Sequence, residues 1–179
     1  MLDHLRADFR RLQAVRGAST LRMLLDACLF ENGFQAVTLY RAAHACKKLR
    51  IPFLAPFLCR LSQLLTGVEI APAAEIGPGL MISHGHGIVI GQWARIGKDC
   101  QLHQQVTLGA KDVERIDQMP RLGDGVVVGA GAKLLGGISV GDGAVVGPNA
   151  FLTRDVPPGG KALAPYAEIR PPKPPTAEA

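Results

Sequence analysis

From Ile70 onward an aliphatic residue returns at every sixth position, and this feature limits what the chain can fold into more than any other. The series runs Ile70, Ile76, Ile82. After a step of eight come Ile90, Ile96, Leu102 and Leu108, and after an interruption of 14 come Leu122, Val128, Leu134, Val140, Val146 and Leu152. Glycine often follows (Gly77, Gly91, Gly97, Gly109, Gly123, Gly129, Gly141, Gly147), and the fifth place is small or branched, as at Ala74, Ala94, Val106, Val126, Ala132 and Ala144. A sustained period of this kind marks a solenoid. Each hexapeptide supplies one short strand and one turn, and three close a triangular coil. The aliphatic residue points inward onto its equivalents in the coils above and below. One coil cannot bury its own apolar face, so several must stack. The composition agrees: 47% of residues are hydrophobic but only 5% aromatic, which suits regular stacking of small aliphatic side chains.

Residues 1–66 have a different period. Leu2, Leu5, Phe9 and Leu12 recur at helical spacing with arginines between them. Ser19-Thr20 can cap a second helix over 21–30, which Asn32-Gly33 ends. Two further helices are expected at about 34–49 and 53–65. The chain therefore divides into a helical region (1–66), a β-helix (67–156) and a Pro-rich, extended tail (157–179). The N-terminus is charged and lacks the apolar core of a signal peptide. No stretch is long and apolar enough to span a bilayer. The four cysteines form no C-x-x-C pair, so the sequence indicates neither a zinc site nor a disulfide framework. Free thiols fit a reducing, cytoplasmic setting. The formal charge of +5 suits an anionic ligand such as a coenzyme's phosphates, and no nucleic-acid motif is present. The alternating leucines and arginines of the first helix would allow peripheral contact with a membrane, although packing on the β-helix is the expected use.

Several segments carry a resemblance. Tyr40-Arg-Ala-Ala-His44, Gly67-Val-Glu-Ile-Ala-Pro-Ala-Ala-Glu-Ile-Gly77, Ser83-His-Gly-His-Gly-Ile-Val-Ile-Gly91, Val106-Thr-Leu-Gly109 and Gly129-Ala-Gly-Ala-Lys133 resemble the serine O-acetyltransferase branch of the left-handed β-helix acyltransferases. The resemblance, not the period, implies left-handed coils. It also implies acetyl-CoA as co-substrate, no metal, and a homotrimer or a hexamer with active sites between subunits. Several places depart from the family pattern: Ser83 replaces an Asp, Gln118-Met119-Pro120 replaces Arg-His-Pro, Gly17-Ala18-Ser19 replaces Asp-Pro-Ala, and Ala110-Lys-Asp-Val-Glu114 replaces a glycine-rich loop. Without those charges the desolvation of a free amino acid would be uncompensated. The changed pattern resembles the related O-acetyltransferases of exopolysaccharide biosynthesis, so the expected acceptor is a saccharide hydroxyl, with serine as the alternative. A non-catalytic or metal-dependent β-helix is a third reading.

Acetyl transfer from a thioester to a hydroxyl needs a base and an oxyanion donor. A histidine has the right intrinsic pKa for the first role. His84 lies in the irregular eight-residue step, between glycines that let the backbone leave the coil, and at the family's catalytic position. Glu69 falls at the position of the family's acidic partner and would orient the imidazole. His86, Ser83 and Met119 are candidates for acceptor contact. Gly109, Ala110, Lys111, Ala130, Lys133 and Pro148 are candidates for the coenzyme. His103 reads as a solvated residue of its turn, His44 as packing or capping, and His4 as exposed.

Overall fold

The computed structural model describes residues 2–16, 21–166 and 168. Four helices come first: α1 (Leu2–Arg16), α2 (Leu21–Phe30), α3 (Asn32–Lys48) and α4 (Leu54–Thr66). Fourteen short strands, numbered along the chain, then wind a left-handed parallel β-helix with three faces. The first face stacks β1 (Val68–Ile70), β4 (Ile88–Ile90), β7 (Thr107–Gly109), β10 (Lys133–Leu135) and β13 (Phe151–Leu152). The second stacks β2 (Glu75–Ile76), β5 (Arg95–Ile96), β8 (Arg121–Leu122) and β11 (Ser139–Val140). The third stacks β3 (Met81–Ile82), β6 (Gln101–Leu102), β9 (Val127–Val128), β12 (Val145–Val146) and β14 (Lys161–Ala162).

The six-residue series becomes the core, buried from Ile70 through Val146, with Leu152 partly exposed at the last coil. The fifth-place Ala74, Ala94, Val106, Val126, Ala132 and Ala144 are completely buried beside it. Registers are in phase, Val68↔Ile88 and Ile70↔Ile90 in the first pair, so like residues stack on like. The solenoid runs past residue 156, because Lys161 and Ala162 pair with Val145 and Val146. The sequence reading of that stretch as tail undervalued Lys161-Ala162 because prolines and glycines surround it. The interruption after β7 is an exposed excursion with one short 3-10 turn, Val113–Arg115.

The helices have a definite task at the open end of the solenoid. Backbone N–H groups of the first coil donate upward, as from Ala71 to Ile90 O (2.9 Å), Glu75 to Ala94 O (3.1 Å) and Met81 to Cys100 O (2.9 Å). The first coil's strand carbonyls therefore point the other way, with no coil beneath them, and buried acceptors need partners. Side chains of α3 and α4 supply the donors. Tyr40 donates its hydroxyl to Ala74 O (2.7 Å), Arg41 donates to Ile76 O and Gly77 O (2.6 Å each), and His44 Nδ1 donates to Pro72 O (2.9 Å). Ser62 donates to Val68 O (3.1 Å), and the Cys59 thiol lies 3.4 Å from Ile70 O.

Asp8 of α1 closes the arrangement. It accepts from Arg41 Nε (3.0 Å) and from the backbone N–H of Gly79 and Leu80 (2.8 and 3.0 Å), and both side chains of the ion pair are buried. With Phe9 stacked at a tilt on Phe34 (5.8 Å), α1 packs on the protein, the use expected of it from sequence. Among the described residues no helix is long and apolar enough to cross a membrane.

Candidate active site

The corner joining the third face to the first is regular in later coils. It stacks Gln104, Ala130 and Pro148 through bonds from Gly131 N to Gln104 O and from Asn149 N to Ala130 O. In the first coil His86 takes this place, since Gln105 N bonds His86 O at 2.8 Å. Leu102 and Val106 are four residues apart, whereas the matching Ile82 and Ile88 are six apart. Two residues are therefore extra, and they bulge the corner where His84 sits. His84 has φ +54, the left-handed region that costs a side-chain-bearing residue roughly 1 kcal/mol or more. Strain of this kind persists only where neighbours over-determine the backbone.

Here α3 supplies those neighbours. Gly33, at the start of α3, lies so close to the bulge that a Cβ there would stand 2.1 Å from Ile82 O. Buried Gly85 reciprocates: its Cβ would stand 3.1 Å from Gly33 Cα. The bulge thus presses on a helix that Tyr40 and Arg41 fasten to the first coil. Above it opens a cleft of about 550 Å³ lined by Leu12, Val15, Glu31, Ser83, His84 and His86, among others. The His84 side chain is exposed, and its ring makes no hydrogen bond to another described residue. Ser83 lines the same cleft, its hydroxyl accepting from Gln101 Nε2 (3.2 Å).

Glu69 faces outward from β1, between buried Val68 and Ile70. Its strand enters directly beneath the histidine corner: Gly87 N donates to Gly67 O (2.8 Å), and a Cβ on Gly67 would stand 2.5 Å from His86 Nδ1. The carboxylate does not hydrogen-bond to His84. Oε2 accepts from Gln63 Nε2 at 3.0 Å, and the side chain lines a separate cleft of about 810 Å³ under α4. The strand that carries Glu69 therefore begins beneath the histidine corner, at Gly67, while Glu69 itself lies two residues further along the face, opposite Val89.

The remaining candidates fall into groups. Ala130 and Pro148 stand in line above His86 on the corner, and Lys133 lies beside them, its ammonium donating to Gln105 O. Gly109, Ala110 and Lys111 occupy the opposite edge of the first face, and Lys111 lines a shallow cleft with Arg115 and Arg154. Met119 is not brought to the His84 cleft. Its buried thioether fills the space over Gly91, where a Cβ would come within 2.4 Å of the sulfur. His103 Nε2 accepts from Gln101 (3.3 Å). Among the described residues no group of three or more His, Cys, Asp or Glu side chains is arranged to hold a metal ion. The Gly17-Ala18-Ser19 segment lies outside the described residues. Sequence reasoning missed Gln63, Glu31 and Gln104, whose Oε1 is buried without a partner among the described residues. Only the hexad phase offered a signal, and only for Gln104, because it stacks Gln104 under Ala130.

A parallel triangular solenoid built on a six-residue period defines the class of hexapeptide-repeat transferases, and the model for bacterial transferase hexapeptide (six repeats) matches residues 119–154. The chain is 44% identical over 143 residues to the serine acetyltransferase of Helicobacter pylori, covering 80% of this chain and 84% of that one. To the serine acetyltransferase of Synechococcus elongatus it is 43% identical over 157 residues, 88% of this chain but 64% of that longer protein. A solved serine acetyltransferase in complex with CoA superposes with a TM-score of 0.81 at 34% identity, covering 90% of this chain and 66% of that one. The chain belongs to the serine acetyltransferase family. This corrects the expectation of a saccharide acceptor and of the exopolysaccharide branch, both of which rested on a few short departures from the family pattern. The physical error was to treat a few motif side chains as the sole means of compensating an amino acid's charges.

Proposed function

We propose that the protein transfers the acetyl group of acetyl-CoA to the hydroxyl of serine, with His84 as general base. The observation that carries this reading is the two-residue bulge, which holds His84 in a strained conformation at the mouth of a cleft, its ring without a hydrogen-bond partner among the described residues. Family membership supports serine as acceptor, and the CoA-bound relative supports the donor. In the reaction a ring nitrogen of neutral His84 takes the hydroxyl proton while the oxygen bonds to the thioester carbonyl carbon. The tetrahedral intermediate then collapses, the C–S bond breaks, and the imidazolium returns the proton to the departing thiolate. Glu69 is the acid that steadies the imidazolium, reaching the corner from β1. Ser83 and His86 border the acceptor.

The coenzyme lies in a groove between two copies of the chain. Gly109, Ala110 and Lys111 sit on one edge of the first face and Ala130 and Pro148 on the other, so a single extended ligand meets both sets only where two solenoids adjoin. Exposed Phe151 and Val89 on the face between them are suited to that contact. The active unit is accordingly a homotrimer, and the setting is the cytoplasm, where the free cysteines stay reduced. Release of CoA thiol with serine, compared with monosaccharide acceptors, tests the acceptor, and the same assay on His84→Ala tests the base. Equal turnover of sugars, or an active His84→Ala, would remove the corresponding part of the proposal.

A further inference from the structure

We propose that Gln63 is a positioning residue for the reaction, acting through Glu69; the inference rests on the reading of His84 and Glu69 given above. The structure contains a directed chain of donors. Arg60 Nη1 donates to Gln63 Oε1 at 2.7 Å, and Gln63 Nε2 donates to Glu69 Oε2 at 3.0 Å. Arg60 and Gln63 are neighbours one turn apart on α4, and Glu69 follows across the Gly67 turn. An amide can present either end to a carboxylate, and only the NH₂ end bonds it. By holding the carbonyl end, Arg60 fixes which end Glu69 meets. One carboxylate oxygen is thereby tied to the helix, and Oε1, which accepts no hydrogen bond among the described residues, is left for a second donor.

A glutamate needs this restraint. Its long side chain has several rotatable bonds, and a carboxylate that orients an imidazole works only if held close to its productive geometry. Other groups facing Glu69 do not supply a second tether. Lys47 and Arg50 from the end of α3, Cys59 and Arg60 from α4 and Gln92 beyond β4 line the same cleft, and His86 stands at the Gly67 turn. None of them is hydrogen-bonded to the carboxylate. Its charge is nevertheless felt: burial, and then the Glu69 carboxylate, push the Cys59 thiol above its ordinary pKa.

The test uses the full-length protein with serine and acetyl-CoA. Gln63→Leu, which fills the same space without a donor, should lower kcat about tenfold, the loss of one charge-assisted hydrogen bond, with KM for both substrates within twofold. Gln63→Glu keeps the shape and the Arg60 partner but replaces the donor with a second carboxylate. The added negative charge favours the imidazolium, so the acid limb of the kcat/KM profile should move to higher pH, a change that a merely structural role would not produce. Thermal melts check that both variants fold. Wild-type kcat and an unmoved acid limb in both, with His84→Ala inactive, would overturn the positioning role alone. An active His84→Ala would overturn it together with the reading beneath it.

Discussion

Adding one methyl group at Gly33 tests whether the α3 helix sets the position of His84. The new Cβ would stand 2.1 Å from Ile82 O, 2.9 Å from its carbonyl carbon and 3.0 Å from its Cβ. Ordinary contact requires about 3.2 Å or more, so either the helix or the bulge must move by about 1 Å. Retreat of the helix is costly. Tyr40 holds Ala74 O at 2.7 Å and Arg41 holds Ile76 O and Gly77 O at 2.6 Å, and stretching these by 1 Å breaks all three. The bulge is the softer side, and His84 rides on it. A displacement of about 1 Å in a reacting group costs about 10²-fold in rate. Overpacking destabilises by about 1–3 kcal/mol, while Gly→Ala in a helix returns about 1 kcal/mol, so the melting temperature should fall by only a few degrees. Thiol-release kinetics and a thermal melt on Gly33→Ala separate the two effects. A kcat within twofold of wild type together with a raised melting temperature would refute the reasoning, because it would mean that the helix and bulge have room to spare.

Replacing His84 by Gly should abolish turnover while raising stability by about 1 kcal/mol, since glycine accepts φ +54 without strain; denaturant titration beside the activity assay shows both. Arg41→Ala leaves Asp8 buried without its cation and should cost about 3–5 kcal/mol, and an Asp8→Ala, Arg41→Ala cycle should return a large coupling. Tyr40→Phe strands Ala74 O and should cost about 1–2 kcal/mol. Burial pushes the Tyr40 hydroxyl up to about 12, above the unfolded value of 10.0, so its stabilisation is complete below pH 10 and is lost as pH rises through 12. The alkaline decline seen by circular dichroism should therefore be shallower in the phenylalanine variant. Burial likewise pushes the Cys100 thiol up to about 11, so at pH 8–9 iodoacetamide should modify exposed Cys28 and spare Cys100 until the protein unfolds.

The solenoid was legible because its periodicity is the physical cause of the fold. A residue six positions on must occupy the next inward slot, and every member of the six-residue series from Ile70 to Val146 does so. The histidine bulge was legible for a related reason, since an eight-residue step in a six-residue repeat must leave the coil. Helix positions followed from apolar spacing to within about two residues. What periodicity does not encode is the direction of side chains in the irregular segments. Met119 looked like an acceptor contact from its place in a motif, yet its excursion folds it inward over Gly91. Gln63 lay unnoticed in an amphipathic helix because its role depends on the Gly67 turn bringing Glu69 back alongside. The acceptor is illegible for a comparable reason: a few short segments depart from the family pattern, whereas identity spread over most of the chain reflects the whole scaffold.

The Tyr-Arg-x-x-His segment links these two kinds of information. As sequence it is a family mark without evident chemistry, and its histidine reads as packing or capping. In the structure its three polar side chains meet carbonyls at Pro72, Ala74, Ile76 and Gly77, which the first coil would otherwise leave unpaired at an open strand edge. A solenoid begun without a coil beneath it requires such a lid of donors. The helix that provides it also presents Gly33 to the bulge. The cap that satisfies the open end of the β-helix therefore also backs the bulge that carries His84 in the first coil.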